Sequence, residues 1–207
     1  MANTIPPGLL LDFYRRGLFP MAISGELRLF SPDPRGILPL DGFRIPHGSR
    51  KTIRDPAWDL RVDTAFAETL HGCAGREDTW IDGTIFRSYL ELHREGHAHS
   101  VEAWRGGRLA GGLYGVRIGG AFFGESMFSL EPGASKAALN HLVGILKKSG
   151  FLLLDIQWVT QHLEKFGAMQ IPRAEYLDRL EAACNAPAVW NPAGVAAAPP
   201  RAVVSAQ

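Results

Sequence analysis

The chain has 207 residues, 46% of them hydrophobic, and a formal net charge of +1. That length suits one compact domain, or a small lobe joined to a medium one, with enough apolar mass for a core. No run reaches the roughly 18 apolar residues of a membrane span, the first residues lack a secretory pattern, and the near-neutral charge excludes a uniform polycation.

Cys73 and Cys184 are the only cysteines. Two thiols so far apart predict a reducing compartment, the cytoplasm, and no disulfide framework. Residues 1–61 carry nine Lys or Arg against six Asp or Glu. This asymmetry permits a nucleic-acid patch in the first third.

Residues 8–17 read as a short helix that Gly17 ends. Phe19-Pro20 predicts an extended turn. Leu27 to Pro39 holds an apolar patch, and two prolines within Ser31-Pro32-Asp33-Pro34-Arg35 predict a rigid loop there. Ser49 could cap a helix running to Arg54. A strand is expected at Trp58–Val62, then helices at Thr64–Cys73 and Gly83–Glu95. Glycine-punctuated alternation predicts antiparallel strands at His99–Arg105, Arg108–Ile118 and Ala121–Glu125. Ala134–Lys148 is an amphipathic helix with Lys147 and Lys148 at its C-terminal end. Phe151–Trp158 reads as a buried strand whose far end turns polar. Helices are expected again at about Gln161–Phe166 and Arg173–Ala183. After Cys184 the Ala- and Pro-rich tail is expected to be disordered or loosely docked.

The organisation is α+β: a small N-terminal α+β lobe (1–61), a mixed α/β domain (62–184) compatible with the GNAT acyltransferase fold, and a tail (185–207). Several polar groups stand out on this frame. Glu125 ends an apolar strand, where a carboxylate could meet a cation. Ser126 lacks the second glycine of a nucleophile elbow, Gly-x-Ser-x-Gly, and reads poorly as a nucleophile. Strand alternation aims Asp155 and Gln157 to one side, and two polar groups on an apolar run need partners or a ligand. His97 and His99, with Asp155 or His162, have weak metal spacing, and no metal site is expected. Leu130 to Lys136 carries one glycine and an acid where an acyl-coenzyme A user would place a phosphate-binding loop, so coenzyme A is a poor donor.

Eight runs in order carry a family resemblance. They are Tyr14 to Pro20, Ser31 to Arg35, Thr79-Trp80-Ile81, Gly96 to Trp104, Gly111 to Val116, Gly124 to Ser129, Ala134-Ser135-Lys136 and Leu154-Asp155-Ile156-Gln157. Over about residues 8–180 the chain resembles leucyl/phenylalanyl-tRNA–protein transferases. The resemblance implies a GNAT-like C-terminal domain and transfer of Leu, Phe or sometimes Met from aminoacyl-tRNA to proteins with N-terminal Arg or Lys, marking them for degradation. It implies a monomer that needs no cofactor, aminoacyl-tRNA being a substrate. By motif, Asp155 and Gln157 would be the catalytic pair. Trp80 would contact the terminal adenosine, and Glu125 would lie beside the reacting centre. Leu113, Phe122, Gly124, Met127, Leu139, Leu142, Leu146 and Leu154 would form the donor side-chain pocket. Arg15, Arg16, Arg50, Lys51 and Arg54 are the expected tRNA contacts. The chain departs from the family at Met21, where Trp is frequent, and at Leu29-Phe30, where Trp-Trp is usual. The rival readings are a GNAT enzyme with a small acyl donor and a non-catalytic binding module.

Overall fold

A computed structural model of the chain describes residues 4–75 and 79–194. The first third contains α1 (Pro7–Arg15), β1 (Phe19–Ile23), β2 (Glu26–Phe30), β3 (Arg35–Ile37), α2 (Arg50–Ile53) and β4 (Asp59–Val62). Then come α3 (Phe66–Ala74), α4 (Gly83–Arg94), β5 (Ala98–Arg105), β6 (Arg108–Ile118) and β7 (Ala121–Ser129). The chain continues with α5 (Ala134–Lys148), β8 (Leu153–Gln157), α6 (Gln161–Glu164), β9 (Met169–Ile171) and α7 (Arg173–Cys184).

Seven strands form one sheet in the order β4-β5-β6-β7-β8-β3-β9, and β1 and β2 pair separately. Among the described residues only the β7–β8 pair is parallel, with α5 as its crossover. The result is the α+β architecture with a mixed sheet that the pattern implies. Two of its strands, β3 and β4, come from the first 62 residues.

Alternation along the central strands divides the core between the two faces of the sheet. Leu113 and Phe122 pack with Leu139, Leu142 and Leu146 of α5. Their neighbours Tyr114 and Phe123 pack with Leu10 and Tyr14 of α1, Leu70 of α3, Tyr89 of α4 and Tyr176 of α7. The helices end where side chains or glycine dictate. The Asp82 carboxylate accepts from the Ile85 N–H at 2.8 Å and caps α4, worth about 1 kcal/mol. Ser49 stands at the cap position of α2 without a side-chain cap bond. Gly106 and Gly107 both have positive φ, at 56° and 75°, which a two-residue turn between twisted strands requires.

Two segments differ from expectation. Residues 19–30 form a hairpin, not a turn and patch, because Pro20 sits in a two-stranded ribbon that leaves backbone donors unneeded. Arg35, expected to end a rigid loop, opens instead a buried strand, Arg35–Ile37, between β8 and β9. Part of the tail docks: Trp190 stacks on His99 at 4.4 Å and on Phe122 at 5.6 Å. Residues 195–207 of the tail lie outside the described residues.

Gly36 makes the β3–β8 approach possible. A Cβ there would lie 2.8 Å from the Trp158 carbonyl carbon and 2.9 Å from the Val159 nitrogen. Both are backbone atoms and cannot swing away. Gly36→Ala is therefore expected to cost about 1–3 kcal/mol, the range for overpacking, read as a lowered urea midpoint at unchanged slope.

Candidate active site

The parallel pairing of β7 and β8 covers only Ala121–Phe123 against Leu153–Asp155. Beyond it β7 follows β6 as far as Gly111↔Ser129, and β8 ends at Gln157. A cavity of about 350 Å³ opens where the two strands stop pairing. Two local irregularities sit at its rim. Tyr114 pairs with Ser126 but Gly115 pairs with Gly124, so Glu125 is the extra residue of a β-bulge. Bulges re-aim side chains at the cost of one ladder position. Gln157 has φ +56°, and the Trp158 N–H reaches the Ile156 carbonyl at 2.6 Å. A left-handed non-glycine residue costs about 1–2 kcal/mol, so the surroundings must hold it.

Asp155 does the holding. Its Oδ1 accepts the Gln157 backbone N–H at 2.9 Å. The same carboxylate takes Arg35 Nε at 2.9 Å and Nη2 at 2.6 Å, and the Tyr176 hydroxyl at 2.7 Å. Arg35 also donates to the Gly17 carbonyl at 2.9 Å and lies over the Phe19 and Tyr176 rings. Both charged side chains are fully buried. Burial and the Asp155 charge push Tyr176 above the ordinary tyrosine pKa, which keeps it a donor. Asp155 is fully buried, and the Gln157 side chain lines the cavity and reaches Glu125.

Gln157 Nε2 donates to Glu125 Oε1 at 3.2 Å. That fixes the amide and leaves its carbonyl oxygen as the acceptor available to the cavity. The Tyr89 hydroxyl donates to Glu125 Oε2 at 3.1 Å, and the Tyr14 hydroxyl makes a short bond to that of Tyr89. Burial raises the Glu125 carboxyl to about 8, against the pull of the two tyrosine hydroxyls; Asp155 adds to the rise and Arg35 opposes it.

Trp80, Leu113, Gly124, Glu125, Met127, Leu139, Leu142, Leu154 and Gln157 all line the cavity. Phe122 and Leu146, expected in the same pocket, lie behind its wall in the core under α5. Arg15, Arg16, Arg50, Lys51 and Arg54 are exposed on or beside α1 and α2, away from the cavity lining. Phe19, Met21, Trp158 and His162 also line it, and Tyr14, Tyr89, Arg35 and Tyr176 support it, without having been assigned roles from sequence. Arg35 and Tyr14 were visible in the Ser31–Arg35 and Tyr14–Pro20 runs; Tyr89 and Tyr176 carried no local signal. His99 Nδ1 is bound to Asp63 at 2.8 Å. Among the described residues no group of three or more His, Cys, Asp or Glu is placed to hold a metal.

The cavity is mostly apolar and carries one oriented amide and one carboxyl. The family model described as leucyl/phenylalanyl-tRNA protein transferase matches residues 37–181. A leucyl/phenylalanyl-tRNA–protein transferase from Phenylobacterium zucineum is 51% identical over 195 residues, covering 91% of this chain and 88% of that one. One from Salinibacter ruber is 48% identical over 194 residues, covering 93% and 86%. One from Rubrobacter xylanophilus is 50% identical over 181 residues, covering 86% and 95%. The chain belongs to the leucyl/phenylalanyl-tRNA–protein transferase family. Among solved structures, L-PGS from Bacillus licheniformis matches at 13% identity and a TM-score of 0.43, over 78% of this chain and 56% of that one. That likeness is too distant to bear on activity.

Proposed function

We propose that this protein transfers Leu, Phe or Met from aminoacyl-tRNA to the α-amine of proteins beginning with Arg or Lys, marking them for degradation. The observation that carries the reading is the apolar cavity ending on the Gln157 amide. The amine nitrogen attacks the ester carbonyl carbon; the C–N bond forms, the C–O bond to the terminal ribose breaks, and the amine proton ends on the released ribose hydroxyl. An ester is already activated, and an α-amine with pKa about 7.7–8.0 has a useful neutral fraction at cellular pH. Positioning therefore supplies much of the rate, and no cofactor is required.

Each residue has a part in that positioning. Gln157 Oε1 accepts a hydrogen bond from the incoming amine and orients its lone pair. Asp155 acts through the Gln157 backbone and does not touch substrate, so it is a positioning residue. Leu113, Met127, Leu139, Leu142 and Leu154 receive the donor side chain. An apolar pocket separates similar side chains by only about 1–3 kcal/mol per methylene, which suits a donor set of Leu, Phe and Met. Glu125 is the carboxyl at the cavity and takes the acceptor's positive charge. The exposed Arg15, Arg16, Arg50, Lys51 and Arg54 contact tRNA phosphates, with the first 61 residues as the tRNA-facing part. The protein works as a cytoplasmic monomer, where charged tRNA is found.

The test is transfer of labelled Leu from Leu-tRNA to peptides beginning with Arg, Asp or Ala. Labelling of the Arg peptide alone is expected. Labelling of the Asp peptide would change the acceptor. No labelling with tRNA still bound would replace the enzyme by a binding module.

A further inference from the structure

His162 lines the cavity together with Gln157 and Glu125, and the positioning described above makes no use of it. The chain that leaves Gln157 runs directly into α6, where the Thr160 hydroxyl accepts the Leu163 N–H at 3.3 Å and fixes the start of the helix. The His162 ring stands edge-on to Phe166, with centroids 5.4 Å apart at 60°, and Phe166 is itself buried. Among the described residues its contacts are this ring and nearby charges, with no hydrogen bond to either ring nitrogen. The other polar side chains at the cavity are engaged. Glu125 is held by Tyr89 and Gln157, Thr160 caps α6, and Ser126 has a partner as well. Burial, with Lys136 and Lys165 nearby, lowers the His162 pKa below the ordinary 6.5. At neutral pH the imidazole is therefore uncharged and able to take a proton.

We propose that His162 is the proton carrier of the transfer step, taking a proton from the attacking amine and delivering it to the leaving ribose oxygen. This rests on the transferase reading above. A neutral amine brings two protons, and one of them stays on the new amide nitrogen, at Gln157 Oε1. The other must leave as the C–N bond forms, because the product amide holds no positive charge. Gln157 does not take it, an amide oxygen being scarcely basic, and Glu125 is given to the acceptor's side-chain charge. The His162 imidazole takes it. As the C–O bond breaks, the imidazolium gives the proton to the ribose oxygen, and His162 returns to its starting form. Lys136 and Lys165 favour this second half, since a positive neighbourhood makes an imidazolium a stronger acid.

The experiment is single-turnover transfer of Phe to an Arg-initiated peptide, both substrates saturating, from two donor tRNAs whose terminal ribose carries hydrogen or fluorine in place of the 2′-hydroxyl. Both donors leave through the 3′-oxygen. Fluorine makes that hydroxyl more acidic, so its departure needs a proton less. The variant is His162→Gln, which keeps the bulk and the hydrogen bonding but carries no proton. In it the rate with the 2′-deoxy donor is expected to fall about 100- to 10,000-fold, the range for a general acid–base group, and to fall far less with the 2′-fluoro donor. A native rate in His162→Gln overturns the inference, because hydrogen bonding would then suffice. An equal loss with both donors also overturns it, because the ring would then shape the cavity and carry no proton. A native chain that transfers to no peptide from either donor would instead strike the transferase reading.

Discussion

Asp155→Ala is expected to destabilise the fold by about 3–5 kcal/mol and to abolish transfer. The reason is the partner it leaves behind. Arg35 is fully buried, and Asp155 is the carboxylate that pairs with it, through two bonds at 2.9 and 2.6 Å. Removing one member of a buried ion pair strands an uncompensated charge, and that loss is typically of this size. Urea unfolding gives the number; a change below about 1 kcal/mol would mean that water or another group replaces the carboxylate. Loss of activity in this variant alone is thus poor evidence of a chemical role. The double variant Arg35→Met with Asp155→Leu separates the two effects. Replacing both charges with apolar groups of similar bulk is often neutral for stability, so much of the fold's strength returns. The acceptor for the Gln157 backbone N–H does not return, and the left-handed turn loses its anchor. Transfer is expected to stay low in the double variant. Recovery of transfer along with stability would show that Gln157 holds its conformation unaided and that Asp155 serves the fold only.

Much of the frame was legible from sequence because its signals are local. The alternation of β5 and β6, the 3.6-residue stripe of α5 and the apolar run of β8 each fall within one window. The site was legible only in part because what makes it work is not local. Asp155 and Arg35 are 120 residues apart, and nothing near either predicts a pair. Two prolines beside Arg35 suggested a loop, and three residues of strand are too few to show a period. The bulge at Glu125 is a property of its pairing with β6; the sequence Gly124-Glu125-Ser126 alternates normally by itself. Positive φ at Gln157 runs against its residue type, so nothing in the sequence signalled it. Trp190 was hidden by its neighbours, since Ala and Pro dominate the composition around a single docking ring.

Acceptor binding is expected to strengthen with pH, and Glu125 is the cause. Its carboxyl is raised from an ordinary 4.5 to about 8, chiefly by burial, so it is mostly neutral at pH 6 and mostly charged at pH 9. A neutral carboxyl has little to offer a guanidinium. If Glu125 takes the acceptor's charge, the dissociation constant of an Arg-initiated peptide, measured without donor, falls about tenfold per pH unit between pH 6 and about 8 and then levels. The guanidinium itself stays charged throughout. Binding also deprotonates the carboxyl, so calorimetry near pH 7 in buffers of different ionisation enthalpy should register close to one proton released. Glu125→Gln keeps the shape and removes the titration, leaving weak binding with no such slope. The same shift fixes the sign for stability. A carboxyl raised in the fold prefers its proton there, so its contribution is most favourable below about 4.5 and is lost as pH rises towards 8. The Gln variant should therefore gain stability relative to the native chain across that interval, and the two curves should run parallel above it. An unchanged slope of peptide affinity in Glu125→Gln would assign the acceptor's charge to another group. A stability difference that did not change with pH would mean that the tyrosine hydroxyls already hold Glu125 ionised, with their hydrogen bonds outweighing its burial.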